Sequence, residues 1–329
     1  MKRRRPGHHA ARALAALTLA AACGCEANSR GRSPVDADPS APGPIGFATA
    51  SFTFTDPDWG EYPSTAFIPA ADGNPAPWPT IVLENGFFAT APMMSWYSEH
   101  LASHGYLVLG VTPPTPFIPD VTEWARGFAG GAALVLAESA NPASPLAGLV
   151  DETRLGAIGL SMGGAGALEQ GGTEPARFQA IVSLAPGWND FGAFLFADTL
   201  AAARRVEAHT QIQRGSQDCL VPADGPLGYY DAVPAAKQYL EINGGNHIGY
   251  IDEGLATAAG PIVFDLVPVD CPATTSYAEQ HRLSAKYATL WFDKHLYGST
   301  RGDDALLGTG FAADLSSGAL TQGMIEPAR

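Results

Sequence analysis

The chain is short of charge, and most short of positive charge. Of 329 residues, 16% are charged, and 33 acidic residues outnumber 19 basic ones, which leaves a formal net charge of −14 at pH 7. A surface that acidic repels phosphate backbones, so nucleic acid is not expected as partner or substrate. Cysteine is scarce too: Cys23 and Cys25 fall in the leader region, and Cys219 and Cys271 lie in the body. These are too few and too widely spaced for a metal site, so no metal is expected. Two body cysteines in an oxidising compartment suggest one disulfide. No internal repeat is visible, and the apolar stretch Ala13 to Ala22 is too short to span a bilayer.

That stretch has a different reading. Lys2, Arg3, Arg4, Arg5 and Arg12 form a basic region ahead of it, so residues 1–22 are expected to be a secretory signal peptide. Ala20-Ala21-Ala22-Cys23 is similar to the lipobox of bacterial lipoproteins, in which Cys23 becomes the lipidated first residue of a cell-envelope lipoprotein. Plain cleavage near Ala22 or beyond, giving a secreted protein, is the alternative. Removing the leader moves the net charge from −14 to −19, because it carries five basic residues and no acidic one. Residues 26–44 are rich in Ser, Pro, Gly, Asp and Ala, so 23–45 is expected as a flexible tether and 46–329 as a single folded domain.

Within that domain the pattern alternates strands with helices. Ser51–Thr55 alternates at period two, Thr80–Glu84 and Tyr106–Val111 read as buried strands, and Met94, Tyr97, Leu101 and His104 mark one helical face that Gly105 ends. Ile181–Leu184, Thr210–Gly215 and Gln238–Ile242 give three further strands. A last helix opens at the capping box Ser276-x-x-Glu279, carries Leu283, Tyr287 and Trp291 on one stripe, and stops at Gly298. Strands separated by helices predict an α/β, doubly wound, mostly parallel sheet.

The most informative residues are Gly159-Leu160-Ser161-Met162-Gly163, between the apolar run Leu155–Ile158 and the small-residue run Ala165–Glu169. G-x-S-x-G at a strand-to-helix turn is a nucleophile elbow, which exposes a strained serine at the edge of the sheet and defines an α/β-hydrolase fold. An ordinary turn serine is the competing reading, and the strand before and helix after weigh against it. A serine needs a base, and the base needs an orienting acid, in the chain order Ser, acid, His. His247 follows the strand Tyr239–Ile242 in the glycine-rich loop Asn243–Asn246, whereas His281 and His295 belong to the terminal helix and read as surface or packing residues. Asp218 sits just past the strand 211–215; Asp224 and Asp231 compete from further on. Ser161, Asp218 and His247 are therefore the expected catalytic triad. Backbone N–H groups of Met162 and of the Gly86-Phe87 loop are the expected oxyanion donors.

Gly86-Phe87, Trp96-Tyr97, Leu101–Tyr106, the elbow, Ala185-Pro186-Gly187-Trp188 and above all Lys237–His247 resemble the bacterial cutinase-like polyester hydrolases, which include the polyethylene terephthalate hydrolases. The resemblance runs from about residue 46 to about 298. It implies a secreted, monomeric carboxylic ester hydrolase that needs no cofactor, with Phe87, Leu160, Met162 and Trp188 lining an open substrate cleft. Leu160 stands where the family commonly has His or Trp. Some members join the acid's strand to residues just after the histidine by a disulfide; here Cys219 follows the acid, but Cys271 lies well beyond His247 across a longer segment, Ile251–Val269, that can cover part of the cleft. A lipase or short-chain acyl esterase with a partly covered cleft remains an alternative. So does a peptidase or amidase on the same centre, and so does a non-catalytic envelope lipoprotein that keeps the fold for binding.

Overall fold

Consecutive strands lie parallel in one sheet only if each connection carries the chain back across a face, and helices of nine to twenty residues do this here. The computed structural model describes residues 34–71, 74–116, 120–187, 199–254 and 270–328. Among them are the strands β1 (Phe47–Asp56), β2 (Gly60–Pro69), β3 (Trp78–Glu84), β4 (Leu107–Val111), β5 (Val150–Leu160), β6 (Ala180–Leu184), β7 (His209–Gly215), β8 (Lys237–Ile242) and β9 (Leu320–Glu326). They form one sheet in the order β1-β2-β4-β3-β5-β6-β7-β8-β9. The six strands from β4 to β8 in that order pair parallel; β1, β2 and β9 pair antiparallel at the two margins. Helices among the described residues include α1 (Ser95–Ser103), α2 (Val121–Ala140), α3 (Met162–Thr173), α4 (Asp224–Ala232), α5 (Tyr277–Tyr297), α6 (Asp303–Leu307) and α7 (Thr309–Ser316). This is the α/β-hydrolase arrangement expected from the sequence.

Strand alternation decides which layer each residue joins. Val82, Leu109, Ala157, Ile181, Ile212 and Tyr239 face the core shared with α2, α3 and α4, whose Trp124, Phe128, Leu168 and Tyr229 fill it. Their neighbours Ile81, Leu83, Val108, Ile158, Val182 and Leu240 face the opposite core, filled by Tyr97 and Leu101 of α1 and by Leu283, Tyr287 and Trp291 of α5. α2 lies close on the sheet because it is small where it meets it: a side chain on Gly127 would strike the Glu84 carboxyl, and one on Gly131 would press on Val82.

The α5 layer is not all apolar. Gln211 and Gln213 of β7 and Gln238 of β8 are buried beneath α5. Gln213 Nε2 donates to Gln211 Oε1 (2.7 Å), Gln211 Nε2 to Gln238 Oε1 (2.8 Å) and to the Tyr287 carbonyl (3.1 Å), and Ser284 Oγ to Gln213 Oε1 (2.6 Å). An unpaired buried amide costs a few kcal/mol, so this closed network seats α5 in one register on β7 and β8. Ser276 caps α5, accepting from the Glu279 N–H (3.1 Å), and Gly298 ends it at φ 70°. The Glu279 carboxylate does not return to the cap; it pairs with Arg282 instead.

Residues 34–45, read from composition as the end of the tether, are anchored to the body. The Ile45 N–H donates to the Ser103 carbonyl (3.2 Å), the Gly43 N–H to Ser103 Oγ (2.7 Å), and His104 Nε2 to the Ala41 carbonyl (2.9 Å). Residues 1–22, expected as a leader, and Cys23 lie outside the described residues.

Candidate active site

β3 and β5 are neighbours in the sheet, and the connection leaving β3 runs to β4 on one side while that leaving β5 runs to β6 on the other. A crevice opens at such a switch point beyond the C-terminal strand ends, and both the elbow and the Gly86 loop sit there. Ser161 follows β5 directly, with φ 57° and ψ −116°. For a non-glycine residue this costs about 1–3 kcal/mol and persists only where the surroundings enforce it. Here the Ser161 N–H donates to the Leu184 carbonyl of β6 (2.8 Å), and the Ser161 carbonyl accepts from Ala165 (2.9 Å) and Gly187 (3.0 Å). The glycines leave room for the turn: a Cβ on Gly159 would overlap the Gly163 carbonyl.

The facing loop comes equally close. A Cβ on Gly86 would lie 2.7 Å from Ser161 Cβ and 3.3 Å from its Oγ, so only glycine fits against the serine. Asn85 pins this loop: its Nδ2 donates to the Thr90 carbonyl (3.1 Å), its Oδ1 accepts from the Gly86 N–H (3.0 Å), and its carbonyl accepts from Trp124 Nε1 (2.6 Å). Phe88, at φ 61°, donates its N–H to the Pro116 carbonyl (2.8 Å). Among the described residues the Phe87 N–H has no acceptor. Met162 is the first residue of α3, where a backbone N–H has no intrahelical partner. Two unspent donors therefore flank the serine.

The candidate acid and base follow the parallel strands β7 and β8. Asp218, in the turn after β7, is 3% exposed; its Oδ2 lies 2.9 Å from His247 Nδ1 and its Oδ1 accepts from the Val221 N–H (2.8 Å). With Nδ1–H directed at a carboxylate, Nε2 is left as the basic nitrogen. Burial alone would lower the imidazole's pKa, but the Asp218 carboxylate, by charge and hydrogen bond, and the nearby Asp270 charge more than offset this, with Arg214 pulling weakly the other way; the pKa is raised above its ordinary value. Asp224 and Asp231, the competing acids, are exposed on α4. His281 stacks on Trp96 (3.8 Å) and His295 on His209 (3.9 Å), both as packing groups.

Several buried side chains hold the two loops. Arg214 donates from Nη2 to the Asp218 carbonyl (2.8 Å), from Nε to that of Val221 (3.3 Å), and from Nη1 to Glu241 Oε2 (2.7 Å). Gln280 of α5 brackets Asn246, donating to its carbonyl (2.8 Å) and accepting from its N–H (3.1 Å). Cys219 and Cys271 are joined by a disulfide, as their number suggested. Asp270 accepts from the N–H groups of Cys219 (3.0 Å) and Cys271 (2.9 Å) through Oδ1 and from Ile248 (3.1 Å) through Oδ2. Sequence reading missed Arg214, Gln280 and Asp270; the one local hint was the position of Asp270 beside Cys271.

Of the expected cleft residues, Phe87 is half-buried and meets Phe88 edge-on (4.2 Å). Leu160 is 3% exposed and packs in the α1/α5 core with Ile158 and Leu184, and Met162 is 4% exposed on the other face. Trp188 and residues 255–269 of the longer segment lie outside the described residues. Among the described residues no group of three or more His, Cys, Asp or Glu is arranged to hold a metal ion, and no helix is long and apolar enough to cross a membrane.

Known proteins are similar to this chain. A bis(hydroxyethyl) terephthalate hydrolase from Streptomyces coelicolor is 30% identical over 171 residues, 51% of this chain and 49% of that protein. Cutinase est1 from Thermobifida alba is 27% identical over 51% of this chain and 52% of its own length, and lipase 1 from a Moraxella species is 26% identical over 69% and 58%. The chain thus spans about half the length of the curated relatives it matches. A family model described as PET hydrolase-like matches residues 22–259, a span that holds Ser161, Asp218 and His247. The chain belongs to the PET hydrolase-like family.

Proposed function

We propose that the protein is an exported carboxylic ester hydrolase of cutinase type, with Ser161 as nucleophile, His247 as general base and Asp218 as the orienting acid. The observation that carries the reading is the buried His247–Asp218 hydrogen bond, formed at the same sheet edge as a serine held in strained geometry. Ser161 Oγ attacks the ester carbonyl while His247 Nε2 takes its proton. The Phe87 and Met162 N–H groups receive the developing oxyanion, each worth on the order of 10²–10³ in rate. Collapse expels the alcohol, protonated by the imidazolium, and leaves an acyl-serine. Water, deprotonated by His247, then releases the carboxylic acid and restores the enzyme.

The names of the relatives, a terephthalate-ester hydrolase, cutinases and a lipase, support acyl esters and polyesters as substrate class. Export rests on the leader reading of residues 1–22, with a lipid anchor on Cys23 as the variant in which cleavage falls at the lipobox. The test is turnover on p-nitrophenyl esters from acetate to decanoate and on a polyethylene terephthalate film. The expected result is hydrolysis across the short and medium esters with product release from the film, abolished in Ser161→Ala. Activity confined to short esters points to the short-chain esterase. A protein that binds esters without turning them over sinks the enzyme reading in favour of an envelope binding protein.

A further inference from the structure

We propose that Asp270 is a positioning residue of the hydrolytic centre: one buried carboxylate ties the backbone just after the acid to the backbone just after the base. The inference rests on the reading of Ser161, Asp218 and His247 as that centre.

The geometry is specific. Oδ1 takes the N–H of Cys219, the residue following Asp218, and Oδ2 takes the N–H of Ile248, the residue following His247. A single planar group therefore spans the two loops on which the His247–Asp218 bond depends. A third N–H, that of Cys271, fixes the carboxylate itself, and the Cys219–Cys271 disulfide holds its backbone to the acid loop. Asp270 is 6% exposed, so its charge is weakly screened where it faces the imidazole.

A buried carboxylate beside a second carboxylate needs compensation. Burial and then the like charge of Asp218 raise the Asp270 pKa, while His247 and the N–H groups of Cys219 and Ile248 pull it back. Those compensating groups are the two loops being clamped, so the cost of burying the charge is recovered only when both are in place. Asp270 also adds negative charge near the ring, which favours the imidazolium formed during acylation. Asp270 lies beyond residue 259, where the PET hydrolase-like match ends.

The test compares wild type with Asp270→Asn on p-nitrophenyl butyrate across pH, with Ser161→Ala alongside. The amide is neutral and cannot accept from all three N–H groups. The expected result is a fall in kcat approaching the ~10²-fold that a 1 Å displacement of a reacting group can cost, at nearly unchanged KM. The acid limb of kcat/KM moves to lower pH, since less negative charge faces His247. Wild-type kcat with an unmoved limb overturns the proposal, as does a loss matched by loss of folded protein with the limb in place. Where Asp270→Asn does not fold, Asp270→Glu carries the test: it keeps the charge and alters the reach, so the limb stays and kcat falls, and an unchanged kcat overturns the positioning role. Failure of the hydrolytic reading is recognised separately, by a wild type without turnover or a Ser161→Ala that retains it.

Discussion

The serine side and the acid–base side of the site are held by different means. Ser161 is fixed by backbone alone: its own N–H and carbonyl bond to Leu184, Ala165 and Gly187, and glycines let the surrounding chain close on it. Asp218 and His247 are fixed by side chains reaching in from elsewhere, by Arg214, Gln280 and Asp270, and by a disulfide spanning 52 positions. The serine geometry comes with the sheet. The geometry of the proposed acid and base depends on long-range ties outside the sheet's own ladder, so that side is where the site should fail first.

The strongest test of the contrast removes one group from each side. Ser161→Ala and His247→Ala are each expected to cut turnover by about 10⁴–10⁶, with the double variant no slower than either, because the groups act as a unit. Steady-state kinetics of the three variants checks this, and additive losses would show two independent contributions.

Gly86→Ala probes the serine side alone. The added methyl meets Ser161 Cβ and Oγ, and the rate should fall by roughly 10² as the hydroxyl is displaced. Near-normal kcat would mean that the loop yields easily.

The acid–base side is probed by Cys219→Ser with Cys271→Ser. Losing this link should cost about 2–4 kcal/mol in urea unfolding. Activity should vanish at lower urea than the circular dichroism of the sheet, by a wider interval than in wild type. Coincident transitions would contradict separate anchoring of the two sides.

The smallest effect is on pH. Because the His247 pKa is raised, the acid limb of kcat/KM should lie above the ordinary imidazole value of about 6.5. The stabilisation from the His247–Asp218 pair is complete below the unfolded-state value and is lost as pH rises through the folded one. Activity and stability should therefore run in opposite directions just above pH ~6.5, which paired rate and melting profiles would reveal.

The same contrast explains what could be read from sequence. The elbow is contiguous, so Gly159–Gly163 announced it, and Asp218 and His247 stood out as candidates because each lies a few residues past the end of a recognisable strand. β2 was hidden by Pro63, a residue that argues against an interior strand. It is tolerated because the pairing of β2 with β4 begins only at Ser64. α2 was obscured by Gly127, Gly130 and Gly131, which serve close approach to the sheet and interrupt the apolar period. β9 carries Gly323 and polar residues along a half-exposed margin. Asp270 and Gln280 act only through segments distant in sequence, and no local pattern records such a tie.

The most direct measurement is covalent labelling with an alkyl p-nitrophenyl phosphonate, followed by intact-mass and peptide analysis. The predicted result is one adduct per folded chain, on Ser161, with activity lost in step and no labelling of His247→Ala on the same timescale. An adduct on another residue, or full activity in the labelled protein, would contradict the account.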